Sequence, residues 1–185
     1  MKQFFIILIV VICVFAQISF ASAELKYHSR VVSVTDGNTL VVSNRIMRGN
    51  ITMTIAAPVV LDGVKAPRLD QPGGEDARSF LEGLLKDKDI FVVERIDGGK
   101  SRGAWVFVGD EKKSVNVLLV EEGKAWLIEP RSVYESKTKK EHIKMKDALQ
   151  KAKAQKKGIW AEENPIPPWE WREKHPKKDE AQPKE

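Results

Sequence analysis

Val32-Ser33-Val34-Thr35-Asp36-Gly37-Asn38-Thr39-Leu40 sets two β-branched runs on either side of a turn signal. Residues 30–34 and 40–42 read as strands, and Asp36-Gly37-Asn38 as the tight connection between them. Residues 44–50 hold asparagine, glycine and two arginines and read as a hairpin loop. Ile51-Thr52-Met53-Thr54-Ile55 alternates apolar and polar residues as a half-exposed strand does. Residues 59–64 continue the sheet and leave it at Ala66-Pro67, where proline cannot donate to a ladder.

Further along, Ala77, Phe80, Leu81, Leu84 and Leu85 recur at helical spacing and predict a helix over 74–86, with Glu75 and Asp76 favourably placed in its first turn. Strands are expected at 89–94 and 104–108, around a turn at Asp97-Gly98-Gly99. A short helix over 115–122 closes at Gly123, and 126–128 is extended. The longest helix is expected at 139–157, with Ile143, Ala148, Leu149 and Ala152 toward the core. Five short strands with interspersed helices suggest an α+β chain built on a Greek-key barrel of the OB-fold type, with about three helices.

Lys2, the apolar run 4–16 and the small-x-small site Ala21-Ser22-Ala23 read as a secretory signal peptide over 1–23. The expected product is an exported chain, periplasmic or secreted, without a stable membrane span and monomeric. Its folded domain is expected at 24–172, ahead of a disordered lysine- and proline-rich tail at 173–185. Cys13 is the only cysteine, so the mature chain has no disulfide, thiolate zinc site or cysteine nucleophile. Loss of Lys2 lowers the formal net charge from +5 to +4, which suits an anionic partner. Nine lysines fall within 137–157, and a solvated helix face accounts for them.

Several segments in order resemble the staphylococcal-nuclease-like (thermonuclease) domain family. The opening stretch is similar to V-x-V-x-D-G-D-T-[LIV], and Leu61-Asp62-Gly63-Val64-Lys65-Ala66-Pro67-Arg68 to L-x-G-[IV]-D-[AT]-P-E. Gln71-Pro72 with residues 74–81, Ser101-Arg102-Gly103, the run from Val115-Asn116 to Ala125-Trp126, Lys157-Gly158-Ile159-Trp160 and Pro167-Pro168-Trp169-Glu170-Trp171-Arg172 match later family segments. The resemblance covers about residues 30–172 and implies a five-stranded OB-fold barrel. It also implies a family chemistry of phosphodiester cleavage that uses calcium, a carboxylate beside the attacking water, and two arginines.

Carried over by position, that resemblance puts Asn38 and Lys65 where the family has calcium-ligating aspartates, Arg68 where it has the glutamate, and Val60 where it has the first arginine. Asp36, Thr39 and the second arginine, Arg102, remain. The exchange leaves four more positive charges than the family pattern, and a divalent cation near Lys65 and Arg68 would be repelled. No cofactor is therefore expected; calcium belongs only to the alternative of an active nuclease with a rearranged site, for which Asp62, Asp70 and Glu75 are the nearby acids.

The leading expectation is a non-catalytic module in which Lys65, Arg68 and Arg102 bind nucleic acid or another phosphate or acidic ligand. An envelope protein-interaction domain without such a ligand is the third reading. Arg102 serves equally well as a phosphate ligand or a rim ion-pair partner. His28, His142 and His175 are expected at the surface, Trp105 and Trp126 in the core or its rim, and Trp169 and Trp171 packed against the barrel.

Overall fold

A computed structural model of the chain describes residues 23–48, 51–97, 99–109, 113–129 and 136–176. The expected signal peptide lies outside these apart from Ala23, as do Gly98 and residues 177–185 of the expected tail. The chain order is β1 (Ala23–Asp36), β2 (Thr39–Arg48), β3 (Ile51–Val60), β4 (Val64–Lys65), α1 (Gly74–Leu85), β5 (Asp89–Asp97), β6 (Lys100–Val108), α2 (Val115–Glu121), β7 (Trp126–Leu127), α3 (Ser136–Ala154), a 3-10 turn (Gly158–Ala161) and α4 (Pro168–Lys174).

Five strands form one antiparallel sheet in the order β3-β2-β1-β5-β6. β1 pairs with β5 through its first half, from Ala23 opposite Ile96 to Arg30 opposite Asp89. Its second half pairs with β2, and two register shifts on that side bend it. The sheet therefore curls until Leu61, just past β3, bridges Ala104 on β6. The Asp62 amide donates to the Ala104 carbonyl at 2.8 Å across the same seam. The result is the expected α+β OB-fold architecture, with four α-helices among the described residues where about three were expected; α4 is the addition.

The seam needs a fourth party. Asn116, fully buried at the start of α2, donates through Nδ2 to the carbonyls of Asp62 and Ala104 (2.8 and 3.0 Å) and accepts through Oδ1 from the Val106 amide (3.1 Å). Around it the core joins Leu40, Val42, Val92 and Val106 of the sheet to Leu81 of α1 and Leu119 of α2. Trp105 and Trp126 are both buried, as the sequence suggested.

Four expectations change. Residues 44–48 belong to β2, paired up to Arg48 opposite Ile51, and only 49–50 of the expected loop lie outside the described residues. Residues 53–56 opposite are all exposed, so backbone ladders rather than a buried face hold this end, and side-chain pattern did not reveal it. Second, residues 59–64 are not one strand: β3 stops at Val60 and a turn at Asp62-Gly63 precedes β4. Third, Ile143 is 53% exposed, and the buried stripe of α3 is Thr138, Glu141, His142, Met145, Ala148 and Ala152. Polar residues fill the first half of that stripe, which hid its phase. Glu141 earns its place by accepting from the Ser114 amide at 2.6 Å and pairing with Lys144. His142, expected at the surface, is 7% exposed; His28 and His175 are exposed. Fourth, α4 continues two residues past the expected domain end at Arg172.

Candidate functional site

The two motifs that opened the sequence analysis meet at one end of the barrel. Asp36 Oδ1 accepts from the Asn38 amide at 2.9 Å and shapes the β1–β2 turn. Asn38 Oδ1 accepts from the Ala66 amide at 3.1 Å, and its carbonyl accepts from the Leu61 amide at 2.9 Å. Gly37 sits between Ala66 and α1 so closely that a Cβ there would stand 2.5 Å from the Ala66 Cβ and 2.7 Å from the Ala77 Cβ. Only glycine permits that approach.

After β4 the chain turns at Pro67-Arg68 and is clamped by Gln71, a buried side chain. Its Oε1 accepts from the Arg68 amide at 3.2 Å, while Nε2 donates to the Ile166 carbonyl at 2.6 Å. That second bond brings in the segment before α4. Pro168 at the head of α4 is buried.

Between these elements lies a cleft of about 690 Å³. Asp36, Asn38, Thr39, Val60, Lys65, Arg68, Leu69 and Asp70 line it, together with Trp169 and Arg172 of α4. The structure thus brings together Asp36, Asn38, Thr39, Lys65 and Arg68 of the two motifs, but not Asp62. Arg102 lies on β6 at a bulge where it and Gly103 oppose Arg95 alone; its side chain is outside what the structure describes.

The nearby acids separate. Asp70 lines the cleft but is engaged by Arg68, whose Nε lies 3.1 Å from its Oδ1. Partial burial pushes the Asp70 carboxyl up, yet the hydrogen bond and charge of Arg68 outweigh this and hold it below the usual range, with smaller help from its own backbone. Asp62 faces away from the cleft: it is buried against Gly103, where a φ of +126° and the 2.9 Å that would separate an added Cβ from the Asp62 Cβ leave no room for a side chain. Its Oδ1 accepts from the Gly63 amide at 2.9 Å. The break after β3, where one strand was expected over 59–64, puts it there. Glu75 pairs with Arg78 on α1 and does not line the cleft. Lys65 is exposed and has no carboxylate partner among the described residues.

Trp169 and Arg172 are the cleft residues that sequence reasoning missed. Both tryptophans of α4 were expected to pack inward, but residues two apart on a helix point to nearly opposite sides. Trp171 is half-buried, whereas Trp169 faces outward and is 46% exposed. The i, i+2 spacing of the pair was the available signal.

A family model described as staphylococcal nuclease homologue matches residues 58–162, more than half of the chain. The chain belongs to the staphylococcal nuclease homologue family. Among individual nuclease relatives, it is 28% identical over 169 residues to an uncharacterized endonuclease of Haemophilus influenzae, covering 90% of this chain and 84% of that protein. It is 27% identical over 158 residues to a micrococcal nuclease of Shigella flexneri (81% and 83% of the two chains). It is 27% identical over 172 residues to protein ParB of Escherichia coli (87% of each). The nuclease-family stretch holds Lys65, Arg68 and the barrel seam, whereas Asp36 and Asn38 on one side and Trp169 and Arg172 on the other lie beyond it and line the same cleft.

Proposed function

We propose that this member of the nuclease family is an exported, non-catalytic module that binds nucleic acid or a related phosphate anion in the cleft. One observation carries the reading. Three cations, Lys65, Arg68 and Arg172, line a cleft whose lining carboxylates, Asp36 and Asp70, are engaged by the Asn38 amide and by Arg68.

Such a donor set does not fit calcium, a hard cation that takes six to eight oxygens, several from carboxylates. The Asn38 oxygen is committed to Ala66, and the described residues hold no cluster of three histidines, cysteines, aspartates or glutamates suited to a metal. Nor can Arg68 act as a general base, since guanidinium keeps its proton. Phosphate oxygens, by contrast, match both side chains: Lys65 offers a mobile point charge and Arg68 a planar fork.

The nuclease names of two relatives favour the alternative, an active phosphodiesterase with a rearranged site. Incubating the full-length chain with single-stranded DNA, once with calcium and once with chelator, separates the two. Binding that survives chelator, without cleavage in either condition, is the expected result. Calcium-dependent cleavage that disappears in Asp36→Ala and in Arg102→Ala overturns the proposal; contaminating nuclease would ignore both substitutions.

A further inference from the structure

We infer that Trp169 is a base-stacking platform, so that the cleft takes single-stranded nucleic acid rather than duplex or free phosphate. This rests on the phosphate-binding reading above and adds a ligand class to it.

Tryptophan is seldom left in water when packing against the body is available. Here Trp169 is 46% exposed, and two more exposed apolar side chains, Leu69 (44%) and Val60 (43%), line the same cleft. The cleft is therefore amphipathic: Lys65, Arg68 and Arg172 line it together with an apolar, partly aromatic wall. Phosphate alone would leave that wall unused. A duplex keeps the faces of its bases stacked inside the helix. An unpaired nucleotide presents both parts at once, a charged backbone and a free π-face, and stacking tolerates any base.

A platform must also be held still, and α4 is held from its other side. The buried Pro168, the Gln71–Ile166 bond and the inward Trp171 fix it to the body. His175 then stacks on Trp171 with centroids 3.9 Å apart. Trp169 and Arg172, three residues apart, share the free face and both line the cleft.

Fluorescence anisotropy of the full-length chain in chelator tests the inference with labelled oligo(dT), oligo(rU), an abasic oligomer of the same length and a duplex. Oligo(dT) or oligo(rU) is expected to bind about tenfold more tightly than the abasic oligomer, the scale of one stacked base. Trp169→Ala should remove that advantage while leaving abasic binding unchanged, and Trp169→Phe should restore most of it. If abasic and base-bearing oligomers bind alike, or Trp169→Ala weakens both equally, the stacking inference fails and the phosphate reading stands. If no oligomer binds, both fail.

Discussion

Replacing Lys65 by glutamine should flatten the salt dependence of oligonucleotide binding by one phosphate contact. Each cation that neutralises a phosphate of a single strand adds roughly 0.7 to the slope of log affinity against log salt, through release of condensed counterions. The structure makes Lys65 and Arg68 unequal in this respect. Lys65 is exposed and without a carboxylate partner among the described residues, so its whole charge is available to a phosphate. Arg68 already faces Asp70 at 3.1 Å. When it turns to a phosphate it gives up that ion pair, and part of its contribution is cancelled. Lys65→Gln should therefore lower the slope by about 0.7 and Arg68→Gln by less. Asp70→Asn, which frees Arg68, should steepen it. Over a rise from about 50 to about 200 mM salt, a change of 0.7 in slope is a factor of about 2.6 in affinity, well within reach of anisotropy titrations. The series is run in chelator with a single labelled oligo(dT). An unchanged slope in Lys65→Gln, or a larger flattening in Arg68→Gln than in Lys65→Gln, would refute the assignment of these side chains as phosphate contacts.

Two further outcomes concern the frame that holds the cleft. Asn116→Ala removes three buried hydrogen bonds and leaves the Asp62 and Ala104 carbonyls short of a donor and the Val106 amide short of an acceptor, so urea denaturation should show a loss of about 3 kcal/mol or more. Burial first, and then the charge of Lys146, hold the pKa of His142 below its usual value against the opposing pull of Glu129 and Asp62, so the folded chain resists a proton that the unfolded chain accepts below about pH 6.5. Stability is thus complete above that pH and falls as acid is added; the urea midpoint should drop between pH 7.5 and 5.5, and His142→Leu should lessen the drop.

What could be read in advance depended on how locally each feature is determined. The β1–β2 turn at Asp36-Gly37-Asn38 is made by its own residues, so the turn and the strands beside it were legible. The same holds for α1, where Ala77, Leu81 and Leu85 form a stripe at four-residue spacing and are all buried. Legibility failed where tertiary context decides. The buried stripe of α3 begins with Thr138, Glu141 and His142, and the Ser114 amide met by Glu141 is 27 residues away. Asp62 is turned from the cleft because β3 breaks to meet β6, a closure no local pattern announces. One wall of the cleft is written in two short motifs, but the other arrives through a bond between residues 95 apart, from Gln71 to Ile166.

That division also bears on what a motif match can mean in this fold. Asn38 holds the Ala66 amide with a side-chain carbonyl oxygen, a task a carboxylate performs equally well. An exchange of acid for amide at this position therefore costs the barrel little while removing a charge that a metal would need. Gly37 is required by the packing of Ala66 and Ala77, and Asn116 by the seam between Asp62 and Ala104, neither of which depends on catalysis. These residues would keep the family pattern recognisable in a chain that had stopped cleaving anything. The side chains free to report on activity are those that hold nothing together: Lys65, which has no partner among the described residues, and Trp169, which turns its face to solvent. Both lie in the cleft, where they serve the proposed hold on a single strand.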